Sequence, residues 1–269
     1  MTERAQVVFV FDCGSADLAA LRAIRPLAGG VVPRVMGLFI EDEALYGAAA
    51  LPGVVEVSLA SLKAEHLDPA RMRQDLERHA QEMRSRFEQS AQHLRLHHSF
   101  KTLRGEPAEM LSNVAGRSDF VVLCRPQRGA GFRSRRLVHL DHLMSRYRQL
   151  MFVNEPWETG SRVVVVAGGA TPAGDYAVGK GADIAAAEGL EFVIATAADA
   201  SRRLDQAAVP GRLVALEEIS EATIVTLCQR EDARLLVVDV DEQLDWQALL
   251  DRLLDRLACS LLIVNPDAG

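Results

Sequence analysis

The sequence has no long uninterrupted hydrophobic run, although 49% of its 269 residues are hydrophobic. A membrane-spanning helix needs about 18 consecutive apolar residues, and no run approaches that length. An excess of basic residues is also missing, since the formal net charge is -7. That charge disfavours a general affinity for nucleic acid or for anionic membranes. The composition predicts a globular protein with ample material for a buried core, in one large domain or two small ones.

Cysteine is scarce, and the spacing of the four cysteines excludes the common cysteine motifs. Cys13, Cys124, Cys228 and Cys259 lie far apart, with no Cys-x-x-Cys and no zinc-finger spacing. The first apolar run after Met1 is too short for the core of a signal peptide. We therefore predict reduced thiols and a cytoplasmic location.

The sequence lacks a recognisable catalytic arrangement. It has no Gly-x-Ser-x-Gly nucleophile elbow and no prominent pair of carboxylates. His97 and His98 are adjacent, so on a strand they point to opposite faces and cannot easily share one metal ion. His139 and His142 have no convincing set of further ligands. We predict no catalytic residue and no metal site, with a slow ATPase or adenylating-type enzyme as the less favoured alternative.

What is present is an alternation of short apolar runs and amphipathic segments, and it occurs twice. Apolar runs of this kind are typical of strands buried on both faces of a parallel sheet. Helical segments between them indicate right-handed βαβ units and an α/β fold. The predicted strands are 7–12, 35–40, 100–103, 120–124 and 150–153 in the first half, and 163–166, 192–195, 213–216, 235–239 and 261–264 in the second.

The clearest internal match is the ending of the two halves. Residues 150–154 read Leu-Met-Phe-Val-Asn, and residues 261–265 read Leu-Leu-Ile-Val-Asn. We place a linker at the polar, turn-rich residues 155–161 and predict two domains, 1–157 and 158–269. A single Rossmann sheet over the whole chain is the competing interpretation.

The first half carries a long insertion, from Asp42 to about Leu96. Within it, seven residues form an apolar stripe with the helical period of 3.6: Met72, Leu76, Ala80, Met83, Phe87, Ala91 and Leu94. The second half is more compact at the equivalent place.

Taken together, these features resemble the universal stress protein family in its tandem, two-domain form. The resemblance rests on the repeated topology, on the first strand ending in Asp12, on the Gly-Glu-Pro-Ala-Glu-Met-Leu sequence of residues 105–111, and on the short terminal strands. It implies two doubly wound, parallel five-stranded sheets with strand order 3-2-1-4-5, packed as a pseudo-dimer. It also implies a role in stress response through a small-molecule or nucleotide ligand, or through protein partners.

Nucleotide-binding members of that family carry a glycine-rich phosphate loop after the fourth strand. Glycines let backbone N–H groups approach phosphate, and a helix N-terminus adds its dipole. Here Gly129 and Gly131 are present one residue apart, without the Gly-Ser or Gly-Thr pair that should follow. Arg125 and Arg128 could add forked contacts to phosphate, and the resemblance places Asp12 toward an adenosine. These five residues are the candidate cofactor site, for ATP or another adenine nucleotide.

The second half departs further from the nucleotide-binding pattern. Residues 239–245 are acidic and contain no glycine, and Gly168 stands where the first half has Asp12. Phosphate would be repelled there. We therefore interpret both nucleotide sites as degenerate, and an ATP-binding stress sensor that uses only the first half is the alternative.

Two geometric expectations follow from the implied strand order. The terminal strands 150–153 and 261–264 should meet across a pseudo-two-fold axis, because each would otherwise leave an unpaired sheet edge. Cys13 and Cys124 should lie near each other, because one follows and the other ends two neighbouring strands. Their expected place is the mouth of the ligand-binding crevice that doubly wound sheets form at the carboxyl ends of such strands. We weigh a redox-responsive pair there against two small buried side chains that merely pack.

Overall fold

A computed structural model describes residues 6–11, 21, 24, 33–51, 53–57, 64–66, 68–115, 120–124, 140–154, 157–167, 171–196, 210–240 and 246–266. Twelve strands lie within these ranges: β1 (Gln6–Phe11), β2 (Arg34–Asp42), β3 (Val55–Val57), β4 (Ala64–His66), β5 (His97–Gly105), β6 (Phe120–Cys124), β7 (Gln149–Val153), β8 (Arg162–Ala167), β9 (Glu191–Thr196), β10 (Gly211–Ala215), β11 (Ala233–Asp239) and β12 (Ser260–Val264).

The same ranges contain seven α-helices. They are α1 (Glu43–Ala49), α2 (Pro69–His93), α3 (Pro107–Val114), α4 (Leu140–Arg146), α5 (Pro172–Glu188), α6 (Glu221–Arg230) and α7 (Trp246–Arg256). None of the helices described is both long enough and apolar enough to cross a membrane.

Ten of the strands form one continuous sheet with the order β10-β9-β8-β11-β12-β7-β6-β1-β2-β5. Counted along the chain within each half, both groups of five have the order third, second, first, fourth, fifth. All neighbours are parallel except β12 and β7, which are antiparallel. The predicted α/β class is therefore confirmed. The two predicted five-stranded sheets are the two halves of one continuous sheet, because β7 and β12 hydrogen-bond and join them.

The strands are apolar on both faces because helices cover both faces. In β8, the four consecutive residues Val163 to Val166 have no exposed surface. Alternate residues contribute to two different cores, as the alternation of side chains along a strand requires. One core includes residues of α2 and α5, and the other includes residues of α3, α4, α6 and α7. Helices on both faces are typical of a sheet whose strands are parallel, as they are within each half.

The insertion forms α1, the small hairpin β3–β4 and the long helix α2. Asp68 caps α2, accepting a hydrogen bond from the Ala70 N–H at 2.9 Å, and Pro69 occupies the first helical position. The predicted apolar stripe is buried at five of its positions, Leu76, Ala80, Met83, Phe87 and Ala91. The helix thus packs against the sheet with the face that the sequence pattern indicates.

The repeated ending of the two halves forms the seam of the molecule. Leu150 pairs with Ile263, Phe152 with Leu261, and Met151 with Leu262. Because Leu150 and Leu261 hold equivalent positions in the repeat, this register is symmetric about the Met151–Leu262 pair. The prediction that the terminal strands meet across a pseudo-two-fold axis is confirmed.

An asparagine from each half reaches across the seam to the other half. The side-chain amide of Asn154 donates to the Leu257 carbonyl at 3.1 Å, just after α7. The side-chain amide of Asn265 donates to the Met144 carbonyl at 3.0 Å, in α4. Each repeat therefore satisfies a carbonyl near the end of the last helix of the other repeat, where helices leave acceptors unpaired.

The segment between the halves returns directly against β11. Gly160 has φ 97°, and a Cβ atom there would lie 2.6 Å from the Arg234 nitrogen, so a side chain would not fit. Trp157 is buried, and the Ser161 N–H donates to the Asp232 carbonyl at 2.9 Å. The division at residue 157 remains a prediction, with residues 155 and 156 outside the described part of the chain.

Candidate functional site

The topology creates one switch point in each half, at the carboxyl ends of the parallel strands. In the first half it lies between β1 and β6, and in the second between β8 and β11, because the chain leaves the central strand in opposite directions on the two sides. Doubly wound sheets bind ligands in the crevice that forms at such a point. The candidate site is therefore defined by backbone topology before any side chain is considered.

The five predicted cofactor residues fall outside the described part of the chain. Asp12, Arg125, Arg128, Gly129 and Gly131 follow the last described residues of β1 and β6. These two strands are neighbours, as expected, with Val10 paired to Leu123. The structure thus brings together the strands that precede Asp12 and the arginine-rich segment, while the roles of the five side chains remain predictions. The expected proximity of Cys13 and Cys124 also stays a prediction, because Cys13 lies outside the described residues.

The second switch point carries a buried acidic residue. Asp239 is the last residue of β11, and none of its surface is exposed. The next backbone N–H, that of Val240, donates to the Val264 carbonyl at 3.2 Å. A phosphate in such a crevice depends on free backbone N–H groups after the fourth strand and on positive potential. The Val240 N–H is already hydrogen-bonded to the Val264 carbonyl, and the side chain beside it is the carboxyl group of Asp239.

A polar network that the sequence analysis did not identify lies at the carboxyl ends of β2 and β5. The first switch point lies at the carboxyl ends of the same group of parallel strands. The Glu41 Oε2 atom accepts hydrogen bonds from the Tyr46 hydroxyl at 2.8 Å and from Arg104 Nε and Nη2 at 3.1 and 2.9 Å. Arg104 Nη2 also donates to the Tyr46 hydroxyl at 3.1 Å. The guanidinium carbon of Arg104 lies 4.2 Å from the centre of the Tyr46 ring, close enough for a cation–π contact.

The network joins the insertion to the sheet. Glu41 and Arg104 face each other in the register of β2 and β5, whereas Tyr46 belongs to α1. The side chain of Glu41 is 7% exposed and that of Arg104 is 46% exposed, so the arginine shields a buried carboxylate from one side. Burial and the hydrogen bond to Glu41 raise the pKa of Tyr46, and the same carboxylate raises the pKa of Arg104. The tyrosine stays neutral and the arginine stays charged over the physiological range, which favours a structural role beside the first crevice.

A signal for this network was present in the sequence but was ambiguous. Glu41 directly follows a strand-like apolar run, and Arg104 lies at the end of the next predicted strand. A charged residue at the end of a buried strand needs a partner. The partner could be chosen only once the pairing of β2 with β5 was known.

Another half-buried polar group lies beside the seam, on α5. The Gln149 side-chain amide donates to the Tyr176 hydroxyl at 2.9 Å, which links β7 of the first half to the first helix of the second. The ammonium of Lys180 lies 5.6 Å from the centre of the Tyr176 ring. Burial lowers the pKa of Lys180 and raises that of Tyr176. Burial thus disfavours the charged form of both side chains.

A pocket of about 260 Å³ opens at the opposite ends of the strands from the switch points, at the amino ends of β1, β2 and β5. It is lined by Gln6, Arg34, Val35, His97, His98 and Ser99. His97 is exposed, whereas the half-buried His98 places Nδ1 3.1 Å from the Leu96 carbonyl. Among the described residues no group of three or more potential ligands is arranged to hold a metal ion. This pocket lies away from both switch points.

Comparison with known proteins identifies similar folds rather than similar sequences. No family model matches the chain, and no curated protein matches it. A universal stress protein from Archaeoglobus fulgidus DSM 4304 has a TM-score of 0.59 and 10% sequence identity, covering 96% of this chain and 96% of that chain. A putative universal stress protein from Pseudomonas aeruginosa UCBPP-PA14 has a TM-score of 0.54 and 14% identity, covering 98% and 94%.

The same architecture occurs in a protein of a different kind. The cytoplasmic domain of a prokaryotic cation chloride cotransporter has a TM-score of 0.51 and 10% identity, covering 99% of this chain and 97% of that one. At these identities the likeness shows the fold alone. The resemblance to universal stress proteins is thus confirmed as a shared fold that extends over nearly the whole chain.

Proposed function

We propose that this chain is a ligand-binding or protein-interaction module of the universal stress protein type, in which the nucleotide sites are degenerate. The proposed module is cytoplasmic, acts in stress response and is not an enzyme. The proposal rests on one observation. The fold is one that commonly binds ligands at its switch points, but the second switch point has the buried carboxyl group of Asp239 where a phosphate would lie.

The second half supports the proposal through charge and through hydrogen bonding. Asp239 ends β11 fully buried, and an anion beside it would meet an acidic group in a low-dielectric surrounding. The Val240 N–H, which could have approached a phosphate, donates to Val264 instead. With residues 241–245 also rich in acidic side chains, this half is proposed to bind no nucleotide.

The first half retains the features of a binding site in incomplete form. Its crevice lies between β1 and β6, and Tyr46 of α1 hydrogen-bonds to Glu41 at the same, carboxyl, end of the strands. The segment after β6 is rich in arginine but has only Gly129 and Gly131 of the glycine pattern. The arginines favour the alternative of an ATP-binding sensor that uses the first half. The two hypotheses therefore differ in whether the first half binds ATP.

Titration calorimetry with Mg-ATP separates the two hypotheses. The degenerate-site module should show no saturable ATP binding. The sensor should bind one ATP per chain, and Arg128→Ala should abolish that binding because the forked contact to phosphate is lost. Binding of two ATP molecules per chain would contradict the assignment of the second half, and turnover of ATP to ADP would contradict a non-enzymatic role.

The matched control is Arg84→Ala, which also removes one arginine but acts on the exposed face of α2. Arg84 pairs with Glu88 at 2.9 Å, and its side chain is 58% exposed. This variant should behave as the unmodified protein in the same titration. Native mass spectrometry of small molecules retained after purification would then identify a ligand of another class.

A further inference from the structure

The pocket at the amino ends of β1, β2 and β5 contains a row of polar side chains that lies apart from both switch points. Gln6, Arg34 and His97 are the first residues of their three strands. They are neighbours in the register, Gln6 beside Arg34 and Arg34 beside His97. Side chains at one register position of a sheet point to the same face, and Ser99, two residues after His97, shares that face. The row therefore places an amide, a guanidinium, an imidazole and a hydroxyl on one side of the sheet.

The pocket carries positive charge, and no carboxylate is found among the described residues that line it. Arg34 and His97 are exposed, and neither forms an ion pair with another residue of the described ranges. A guanidinium donates its N–H groups in a forked arrangement that matches two oxygens of a phosphate. An imidazole has at least one N–H donor in either protonation state. Every polar group of the row can donate a hydrogen bond and one of them is always charged, which favours an anion as the ligand.

The equivalent row in the second half shows how an arginine at this place is otherwise neutralised. The first residues of β8 and β9 are Arg162 and Glu191, which are neighbours in the register. Arg162 Nε donates to Glu191 Oε2 at 2.6 Å, and Arg162 Nη1 donates to the Glu231 carbonyl at 2.9 Å. In the first half the same two positions hold Gln6 and Arg34. The charge of Arg34 is therefore not compensated by the neighbouring strand, as that of Arg162 is.

We propose that this pocket binds a phosphate group, either as inorganic phosphate or as the end of a phosphomonoester. Arg34 supplies the charge and the forked contact, while His97 and Ser99 supply further donors from the neighbouring strand. Donors on three side chains suit the three free oxygens of a phosphomonoester better than the two oxygens of a carboxylate. The volume of about 260 Å³ equals that of several water molecules at about 30 Å³ each, so a phosphate with a small substituent fits. The proposal is independent of whether the switch points bind a nucleotide.

The imidazole of His97 reports binding at this pocket directly, and His97→Gln identifies its ring signals among those of the seven histidines. Nuclear magnetic resonance of the unmodified chain should show a saturable shift of these signals when inorganic phosphate is added at constant pH and ionic strength. Methyl phosphate, titrated in the same way, distinguishes the two sources of the group. Tighter binding of the ester identifies a phosphomonoester as the ligand, and weaker binding identifies the free anion. The absence of a saturable shift with either compound would overturn the proposal.

Arg34→Glu gives the first half the carboxylate that the second half has at this position. It should weaken phosphate binding at His97 by at least about tenfold, because a charge-assisted hydrogen bond is lost. The matched control is Lys101→Glu, the same change of charge on an exposed residue of β5. Lys101 lies about 13 Å from His97 along the strand, beyond the Debye length of about 8 Å at physiological ionic strength, so its variant should bind as the unmodified chain does. Equal weakening in both variants, or full binding by Arg34→Glu, would overturn the proposal.

A second control separates this pocket from the first switch point, where Arg128 is a candidate phosphate ligand. Arg128→Ala should leave the phosphate-induced shift of His97 unchanged, whatever its effect on ATP binding, because the two places lie at opposite ends of the strands. Loss of the shift in this variant would contradict a separate site. Acetate provides the last comparison, since it has two oxygens and should bind more weakly than phosphate. Equal binding of acetate would show that the pocket is not a phosphate site.

Discussion

At the scale of single residues, Glu41 is a buried carboxylate that accepts hydrogen bonds from Tyr46 and Arg104. Replacing it with alanine would remove the carboxylate oxygen that accepts hydrogen bonds from Arg104 Nε, Arg104 Nη2 and the Tyr46 hydroxyl. We expect Glu41→Ala to lower the free energy of unfolding by about 2 kcal/mol, less than for a fully buried pair because Arg104 is half exposed. Urea denaturation followed by circular dichroism measures the change.

Glu43→Ala is the control for this residue, because Glu43 is exposed in the first turn of α1. Its loss should cost under about 1 kcal/mol, through the helix dipole alone. If the two substitutions lowered the free energy of unfolding equally, the hydrogen bonds of Glu41 to Arg104 and Tyr46 would contribute little to stability.

At the scale of secondary-structure elements, α5 approaches β8 closely enough to require a glycine. A Cβ atom at Gly181 would lie 2.4 Å from Val165 Cγ2 and 3.0 Å from Phe192 Cε2, whereas one at Gly179 would have no neighbour within 4 Å. We expect Gly181→Ala to destabilise the protein by about 1–3 kcal/mol through overpacking. Gly179→Ala should instead stabilise it by about 0.5–1 kcal/mol, because alanine favours the helix.

The two glycines form a matched pair, since they lie on the same helix two positions apart and undergo the same change. Thermal melts of both variants should move in opposite directions. A similar shift in the same direction would contradict the packing of α5 against β8 and β9.

At the scale of the whole molecule, the halves are held together by the β7–β12 pairing and by the crossed asparagines. Asn154→Ala and Asn265→Ala should each lower the free energy of unfolding by about 1 kcal/mol, the net value of one hydrogen bond. The two contacts lie at opposite ends of the paired strands, so the double variant should show the sum of the single effects to within about 0.5 kcal/mol. Chemical denaturation of the three variants provides the measurement.

Asn113→Ala tests whether any asparagine substitution would have the same result. Asn113 is exposed on α3, so its removal should change the free energy of unfolding by less than about 0.5 kcal/mol. A single seam variant as stable as this control would show that the crossed contacts do not hold the halves together.

Much of the fold could be predicted because its signals are local. The run Val163 to Val166 predicts a strand buried on both faces, and the period of residues 72–94 predicts the helix that the structure contains. The strand β5 was predicted as 100–103 but spans His97–Gly105. As an edge strand it has only exposed and half-buried residues from His97 to Arg104, so only its most apolar part was recognised.

The sequence by itself determined the strands, the helix faces, the repeated ending and the acidic character of the second switch point. Each of these depends on neighbours in the chain or on composition. Only the tertiary structure decided the register in which β7 and β12 pair, and that Glu41 meets Arg104 across 63 residues of sequence. Such partners are selected by strand register and by helix packing, which bring together residues whose separation in sequence carries no signal of their contact.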